Sequence, residues 1–262
     1  MNSIGYELGK LANMLFRRKP TVSFCITCRN RMWQIKETLP KNLKDNYECR
    51  DRVEFVLVDF ASTDGLQEWV RDNFQDELKS GYLKYFYTEE MPQWNVCVAK
   101  NTAHRLGSNE VLVNLDCDNF TGPKGGDYVG GRMRVCGVDK TVFHMWAGEW
   151  FDGTFGRIAV SRRNFLRAGG YDEDFVLPAY EDADLVGRLR AMGLKRVKGR
   201  NRRYISAIPN VKGDGVVEDG AVWLGINDRN RAMSKKNIAE GRLVANTGRM
   251  IGVEAVRMFG GE

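Results

Sequence analysis

Four carboxylates in two pairs carry the chemistry this sequence can do. Asp116 and Asp118, in Asn114-Leu-Asp116-Cys-Asp118-Asn119, follow the apolar run Val111-Leu112-Val113. The run reads as the end of a buried strand. Residues i and i+2 of a strand share a face, so both carboxylates would project together into a crevice beyond the sheet edge. Carboxylates that close repel unless a cation lies between them. A hard divalent ion, Mg²⁺ or Mn²⁺, which takes few protein oxygens and completes its shell with substrate phosphate, suits them. A lone Asp-x-Asp also serves a solvated turn, where Asp and Asn bond their own backbone, so the motif needs company. The second pair, Glu181 and Asp182 in Tyr180-Glu-Asp-Ala-Asp184-Leu, opens a helix whose apolar positions Leu185, Leu189 and Met192 stop at Gly193. Carboxylates in a first turn are stabilised by the helix dipole and free backbone N–H groups. That need accounts for one or two of the acids; the surplus can hold an acceptor group or take a proton.

The elements that must position these pairs follow from the apolar pattern. Thr21 to Thr27 is a compact apolar run suited to a buried strand. Polar Arg29-Asn30-Arg31 and a helical pattern through Trp33, Ile35 and Leu39 come next. The order repeats with a strand at Val53 to Val58, a polar loop at Asp59 to Gly65, and a helix face at Leu66, Trp69, Val70 and Phe74. A third strand, Tyr82 to Tyr87, precedes a helix from about Trp94 to Leu106 and then the strand ending at Asp116. Such alternation predicts βαβ units in a mostly parallel sheet flanked by helices, an α/β single domain. Ligands bind such sheets beyond the carboxyl ends of the strands, where their order reverses. Residues 121–156 hold nine glycines and scattered aromatics without a clear period, and are expected to be an irregular lid or substrate wall. No glycine pattern there follows a strand and opens a helix, which excludes a dinucleotide or P-loop motif. Order returns with a strand at Arg157 to Ser161, a short helix from Arg163 to Ala168, the Gly169-Gly170 turn, and a last polar helix from about Asn227 to Gly241.

At 262 residues with 43% hydrophobic content, the chain can bury a sizeable core. No window is apolar for ~18 residues and the start lacks a secretory core, so a cytoplasmic location is expected. Sparse cysteines in apolar segments agree with this. Cys25-x-x-Cys28 would face opposite sides of a strand and makes a poor metal or redox half-site. Residues 1–20 read as a basic amphipathic helix, which can pack on the domain or lie peripherally on an anionic membrane surface. Charge is uneven: residues 185–262 carry 16 Lys and Arg against 7 acids, and Arg188 to Arg203 holds eight bases and no acid. That run is either a solvated face or a surface for an anionic partner such as phosphate, acidic lipid or nucleic acid.

Taken in order, Val53 to Asp59 with Asp64-Gly65, Ala99-Lys100-Asn101, Asn114 to Asn119, Gly156-Arg157, Gly169-Gly170-Tyr-Asp172 and Glu181-Asp182-Ala-Asp184-Leu closely resemble family 2 glycosyltransferases of the GT-A fold. The resemblance covers roughly residues 21 to 200. The last two motifs are also similar to the acceptor half of galactosyl- and N-acetylgalactosaminyltransferases. It implies a nucleotide-sugar-binding half (21–120), an acceptor-binding and catalytic half (121–203) and a basic C-terminal extension (204–262). The implied activity is metal-dependent, inverting transfer of a hexosyl or N-acetylhexosaminyl group from a nucleoside-diphosphate sugar, expected to be UDP-linked, to a hydroxyl of a glycan or glycolipid. Carried over, Asp118 would ligate Mn²⁺ or Mg²⁺ with support from Asp116, which would also contact the donor ribose. Thr27, Arg29, Asp59, Lys100 and Arg157 would bind the nucleotide sugar, Asp182 would be the base and Glu181 a ligand for acceptor hydroxyls. Phe60 stands where many relatives carry a second, uracil-reading acid. His104 and His144 both precede the Glu-Asp motif, so the metal-ligating histidine the family often supplies after it is missing; either another group such as Asp214 substitutes, or Asp118, diphosphate and water suffice. Leu177-Pro178-Ala179-Tyr180 departs from the usual glycine-rich lead. His104, mid-helix, is expected to be structural. Transfer to a modified nucleic-acid base, and nucleotide-sugar binding without catalysis, are the rival readings.

Overall fold

Val22–Cys28 (β1) and Val53–Asp59 (β2) are buried almost throughout, as parallel strands covered by helices on both faces must be. The computed structural model describes residues 18–149, 152–175, 179–209 and 220–260. Between these strands lies α1 (Met32–Asn46), and after them come α2 (Leu66–Asn73), α3 (Gln75–Ser80), β3 (Leu83–Tyr87), α4 (Val96–Leu106) and β4 (Val111–Asn114). Then follow β5 (Asn119–Phe120), α5 (Gly125–Cys136), β6 (Thr141–Met145), β7 (Ile158–Ser161), α6 (Arg162–Arg167), α7 (Glu181–Ala191), β8 (Lys195–Gly199), β9 (Ser206–Ala207), α8 (Gly220–Ala239) and β10 (Val256–Arg257). The strand order is β10-β3-β2-β1-β4-β7-β6-β8. Strands β3, β2, β1 and β4 run parallel, and β7 is antiparallel to both of its neighbours.

The side-chain alternation of the strands splits the core in two. Phe24, Ile26, Phe55 and Leu57 meet Ile35, Leu39, Val70 and Met133 on one face. Cys25, Val56, Val58 and Leu112 meet Cys97, Ala103, Phe165 and Leu189 on the other. Cys25 and Cys28 therefore point into opposite layers, and all six cysteines are free thiols. Strand order reverses between β1 and β4, where Cys25 pairs with Asn114, so the crevice opens at the ends of these two strands.

Residues 121–156 are not the irregular segment their sequence suggests: they contain α5 and β6. Four glycines hide the helix, since glycine is a poor helix former. Packing overrides propensity here. A Cβ on Gly126 would sit 2.3 Å from a Val53 methyl, and one on Gly130 would sit 3.1 Å from the Pro20 carbonyl; only glycine lets α5 press this closely against the sheet. The strand expected to end at Asp116 ends at Asn114, which places Asp116 on the loop beyond it. The last helix begins two turns before the expected Asn227.

The basic run separates into two uses. Arg188 is buried, paired with Asp184 at 2.7 Å and donating to the Ala168 and Gly170 carbonyls. Lys195, Arg196 and Lys198 lie on edge strand β8, where charge discourages pairing with another sheet. The tail does not trail away. Asn246 donates to the Gly169 and Tyr171 carbonyls, Val253 N–H donates to Thr102 Oγ1, and β10 closes the far edge against β3. The expected amphipathic helix of residues 1–20 lies outside the described residues except for 18–20. No helix among the described residues is long and apolar enough to cross a membrane.

Candidate active site

A cavity of about 1280 Å³ opens beyond the β1 and β4 ends. Thr27, Arg29, Lys100, Asp116, Asp118, Glu181 and Asp182 all line it, so the strand ends and the start of α7 converge as the spacing of motifs predicts. Arg29 is oriented by two carbonyls, Met91 O at 2.9 Å and Pro92 O at 3.3 Å. Trp94 lines the cavity edge-on to Phe60, 5.6 Å between ring centres.

Two proposed nucleotide contacts lie outside this lining. Asp59 is fully buried; its carboxylate accepts from Ser62 N–H at 2.8 Å and from the Tyr85 hydroxyl. It shapes the loop after β2. Arg157 is also buried, donating to the Phe120 and Tyr204 carbonyls at 2.8 and 2.7 Å and to the side chain of Asn119. Burial lowers its pKa to about 10 against the pull of Asp116 and Asp118, so it stays charged near neutrality. The arginine thus braces the antiparallel β5–β9 pair next to the Asp-x-Asp loop.

Asn114 Nδ2 donates to Asp116 at 2.9 Å and Asn119 Nδ2 to Asp118 at 2.5 Å. An ammonium holds the other pair. Lys100 Nζ lies 3.0 Å from Glu181 and 2.8 Å from Asp182 Oδ1, and 5.1 Å above the Tyr171 ring. Burial opposes the lysine's charge, but Asp182 and Glu181 outweigh it and raise its pKa well above the ordinary value. Burial, opposed by Lys100 and reinforced by Glu181 and Asp116, raises Asp182 to about 7. Glu181 is equally buried, yet the attraction of Lys100 leaves it below its ordinary value. A helix N-terminus by itself would keep Asp182 a weak base; the buried cluster makes it a stronger one.

The same contacts explain why Lys100-Asn101 and Gly169-Gly170-Tyr171 occur together. Asn101 donates to the Tyr171 carbonyl and accepts from its N–H, both at 2.8 Å. Gly170 adopts φ +66°, and a Cβ there would lie 2.3 Å from Asn101 Oδ1. Adjacent residues of α4 therefore anchor the turn and the carboxylates. Asp184, third acid of the motif, is spent on Arg188. Before Glu181, Tyr180 is held at φ +70°, an uncommon conformation for a bulky residue that aims its side chain into the cavity lining. His104 is buried, with Nδ1 2.7 Å from the Lys100 carbonyl and its ring stacked on Phe165, away from the cavity.

Sequence reasoning assigned no role to Gly156, Trp223, Asn227 or Arg231. A Cβ on Gly156 would lie 3.0 Å from Asp182 Oδ2 and 3.2 Å from Asp116 Oδ2, so this glycine lets the two pairs approach. Trp223, Asn227 and Arg231 line the cavity from α8; their i, i+4, i+8 spacing was the available signal. Among the described residues no three His, Cys, Asp or Glu side chains form a metal cluster, and Asp214 lies outside them. Asp116 and Asp118 offer the oxygen donors a hard cation takes when substrate supplies the rest of its shell, so the residues present fit Mn²⁺ or Mg²⁺.

The mostly parallel sheet, with its order reversing between β1 and β4, is that of the GT-A fold. No protein-family model and no curated protein matches the sequence. The structure is similar to a mannosyltransferase, PcManGT from Pyrobaculum calidifontis, in complex with GDP-Man and Mn²⁺, at TM-score 0.63 and 18% identity, covering 90% of this chain and 71% of that one. It is also similar to S. aureus TarS 1–349 in complex with UDP-GlcNAc, at TM-score 0.63 and 14% identity over 83% of this chain and 67% of that one. Against the longer TarS chain, it spans 40% of that protein's length.

Proposed function

We propose that this protein transfers a hexosyl or N-acetylhexosaminyl group from a nucleoside-diphosphate sugar to a hydroxyl of a glycan or glycolipid, with inversion and with a divalent cation. One observation carries the reading: Asp116 and Asp118 line the same cavity as Glu181 and Asp182, and Gly156 packs against both Asp116 and Asp182. Neighbours of the same fold hold GDP-mannose with Mn²⁺ or UDP-GlcNAc, which supports a nucleotide-sugar donor.

Asp118, with Asp116, would hold the cation. When bound, it neutralises charge that develops on the departing diphosphate. Thr27 and Arg29 stand at the end of β1, where the nucleoside would sit. UDP remains the expected donor nucleotide on the family resemblance, but the carboxylate of Asp59 is occupied and Phe60 is buried against Trp94, so base recognition falls to other groups.

On the acceptor side, Lys100 fixes Oδ1 of Asp182 and leaves Oδ2 toward Gly156 and the cavity. That oxygen would take the proton of the attacking hydroxyl as its oxygen bonds the anomeric carbon from the face opposite the leaving diphosphate. Glu181 would hold a neighbouring hydroxyl. Lys100 acts through Asp182 and is a positioning residue. A positioned base contributes roughly 10²–10⁴ in rate.

The test is a thermal-shift panel of nucleoside diphosphates and nucleotide sugars with and without Mn²⁺, followed by measurement of nucleotide release. Ligands that bind the folded state raise its stability. One nucleotide sugar should stabilise the protein more with Mn²⁺ than without, and Asp182→Asn should keep that stabilisation while losing transfer. Indifference to every nucleotide would overturn the reading.

A further inference from the structure

We infer that the acceptor carries an anionic group, phosphate or carboxylate, received by Arg231 on α8; this rests on the function proposed above. Helix α8 is tied to the catalytic end of the cavity rather than to the nucleoside end. Asn230, itself buried, donates to the Ala179 carbonyl at 2.8 Å, two residues before Glu181. Farther along, a Cβ on Gly187 would meet Ile238 at 3.0 Å, so α8 runs beside α7 in the same direction. Arg231, next to Asn230, therefore stands level with the start of α7 and lines the cavity there.

The face it shares is composed like a saccharide platform. Trp223, Asn227 and Arg231 fall at i, i+4 and i+8 on one stripe of α8, all lining the cavity, and span about 12 Å at 1.5 Å per residue. An indole offers an apolar plane to a sugar ring, an amide both donates and accepts toward hydroxyls, and a guanidinium matches phosphate or carboxylate in a bidentate fork. Charge balance points the same way. Of the other cations lining the cavity, Lys100 is already committed to Glu181 and Asp182, Arg29 to two backbone carbonyls, and Arg31 donates to Gln34. The guanidinium of Arg231 makes no ion pair with any described residue. A neutral acceptor entering beside these carboxylates needs no further cation; an anionic one does, because like charges in a partly desolvated cavity repel strongly.

Matched probes test this: trehalose against trehalose 6-phosphate, and cellobiose against cellobiuronic acid, with binding to the full chain followed by ligand-observed NMR at fixed ionic strength. The wild type should bind at least one anionic member about tenfold or more tighter than its neutral partner, the effect of one charge-assisted contact. Whether the phosphate or the carboxylate pair shows the preference identifies the anion. Arg231→Gln should erase the preference with no change in thermal midpoint or in nucleotide stabilisation, and Trp223→Ala should weaken neutral and anionic members alike. Equal binding of both members of both pairs would overturn the inference. So would an Arg231→Gln variant that instead loses nucleotide binding, which would assign the arginine to the donor diphosphate. The nucleotide panel reports separately on the function itself. Nucleotide binding without anion preference sinks only the acceptor assignment.

Discussion

The two carboxylate pairs of this cavity are held by different elements. Glu181 and Asp182 open α7 and share the buried ammonium of Lys100 from α4, whereas Asp116 and Asp118 lie beyond the end of β4, where the side chains of Asn114 and Asn119 donate to them. A pair that carries its own ammonium can remain buried before any ligand arrives and can exchange a proton with a hydroxyl. Asp116 and Asp118 offer oxygen donors of the kind a hard cation takes. The proposed reading puts the first pair on the acceptor side and the second on the donor side.

Removing the cation attacks the first pair directly. Lys100→Met strands two buried carboxylates and should cost about 3–5 kcal/mol, the usual penalty for breaking a buried pair from one side, read by urea denaturation. A loss below about 1 kcal/mol would mean that the pair is solvated and the contrast false. The second pair is read through ligand response. Asp118→Asn should lower transfer by about 10² or more and abolish Mn²⁺-dependent stabilisation by nucleotide. Stabilisation that persists in the variant would sink its role as metal ligand.

Gly156→Ala tests the boundary between the pairs. A methyl 3.0 Å from Asp182 and 3.2 Å from Asp116 should displace both carboxylates, and a misplacement of order 1 Å costs up to about 10² in rate. Wild-type kinetics in that variant would show that the approach of the pairs is incidental.

Proton linkage separates the base from the scaffold. With Asp182 raised to about 7, kcat/KM should fall about tenfold per pH unit below that value as the base becomes protonated; a rate flat from pH 5 to 8 would exclude Asp182 as base. Stability has a different sensor. Burial, opposed by the hydrogen bond to Phe155 O, lowers His144 to about 4, whereas an unfolded histidine titrates near ~6.5. The folded state therefore binds fewer protons between these values, and stability falls as pH drops through the window. His144→Gln should remove about 1.4 kcal/mol per pH unit of that slope, measured by denaturation from pH 7 to 4.5. An unchanged slope would mean that His144 titrates normally.

Much of this was legible in linear form because it depends on local periodicity. Strands β1 to β4 and the helices between them announce themselves by apolar runs and helical spacing. Asp-x-Asp and Glu-Asp are visible because each is contiguous. Helix α5 was not legible, because its glycines meet a tertiary demand for close approach to Val53 and Pro20 that local propensity contradicts. Nor did sequence reveal the separate fates of similar residues. Lys100 pairs with Glu181 and Asp182 while Arg188 cements a turn, and Asp59 turns inward to Tyr85 while Asp116 faces the cavity. Each of those choices is made by a partner many residues distant.

The sequence by itself determined the alternating α/β architecture, since strand and helix periods fix which residues share a face, and it marked the four acids by two contiguous motifs. Only the tertiary structure decided their chemistry. Burial and the placement of one lysine push Asp182 up and Glu181 down, and the missing side chain of Gly156 lets Asp116 and Asp182 approach, because electrostatic strength depends on distance and solvent exclusion. Neither is encoded at any single position of the chain.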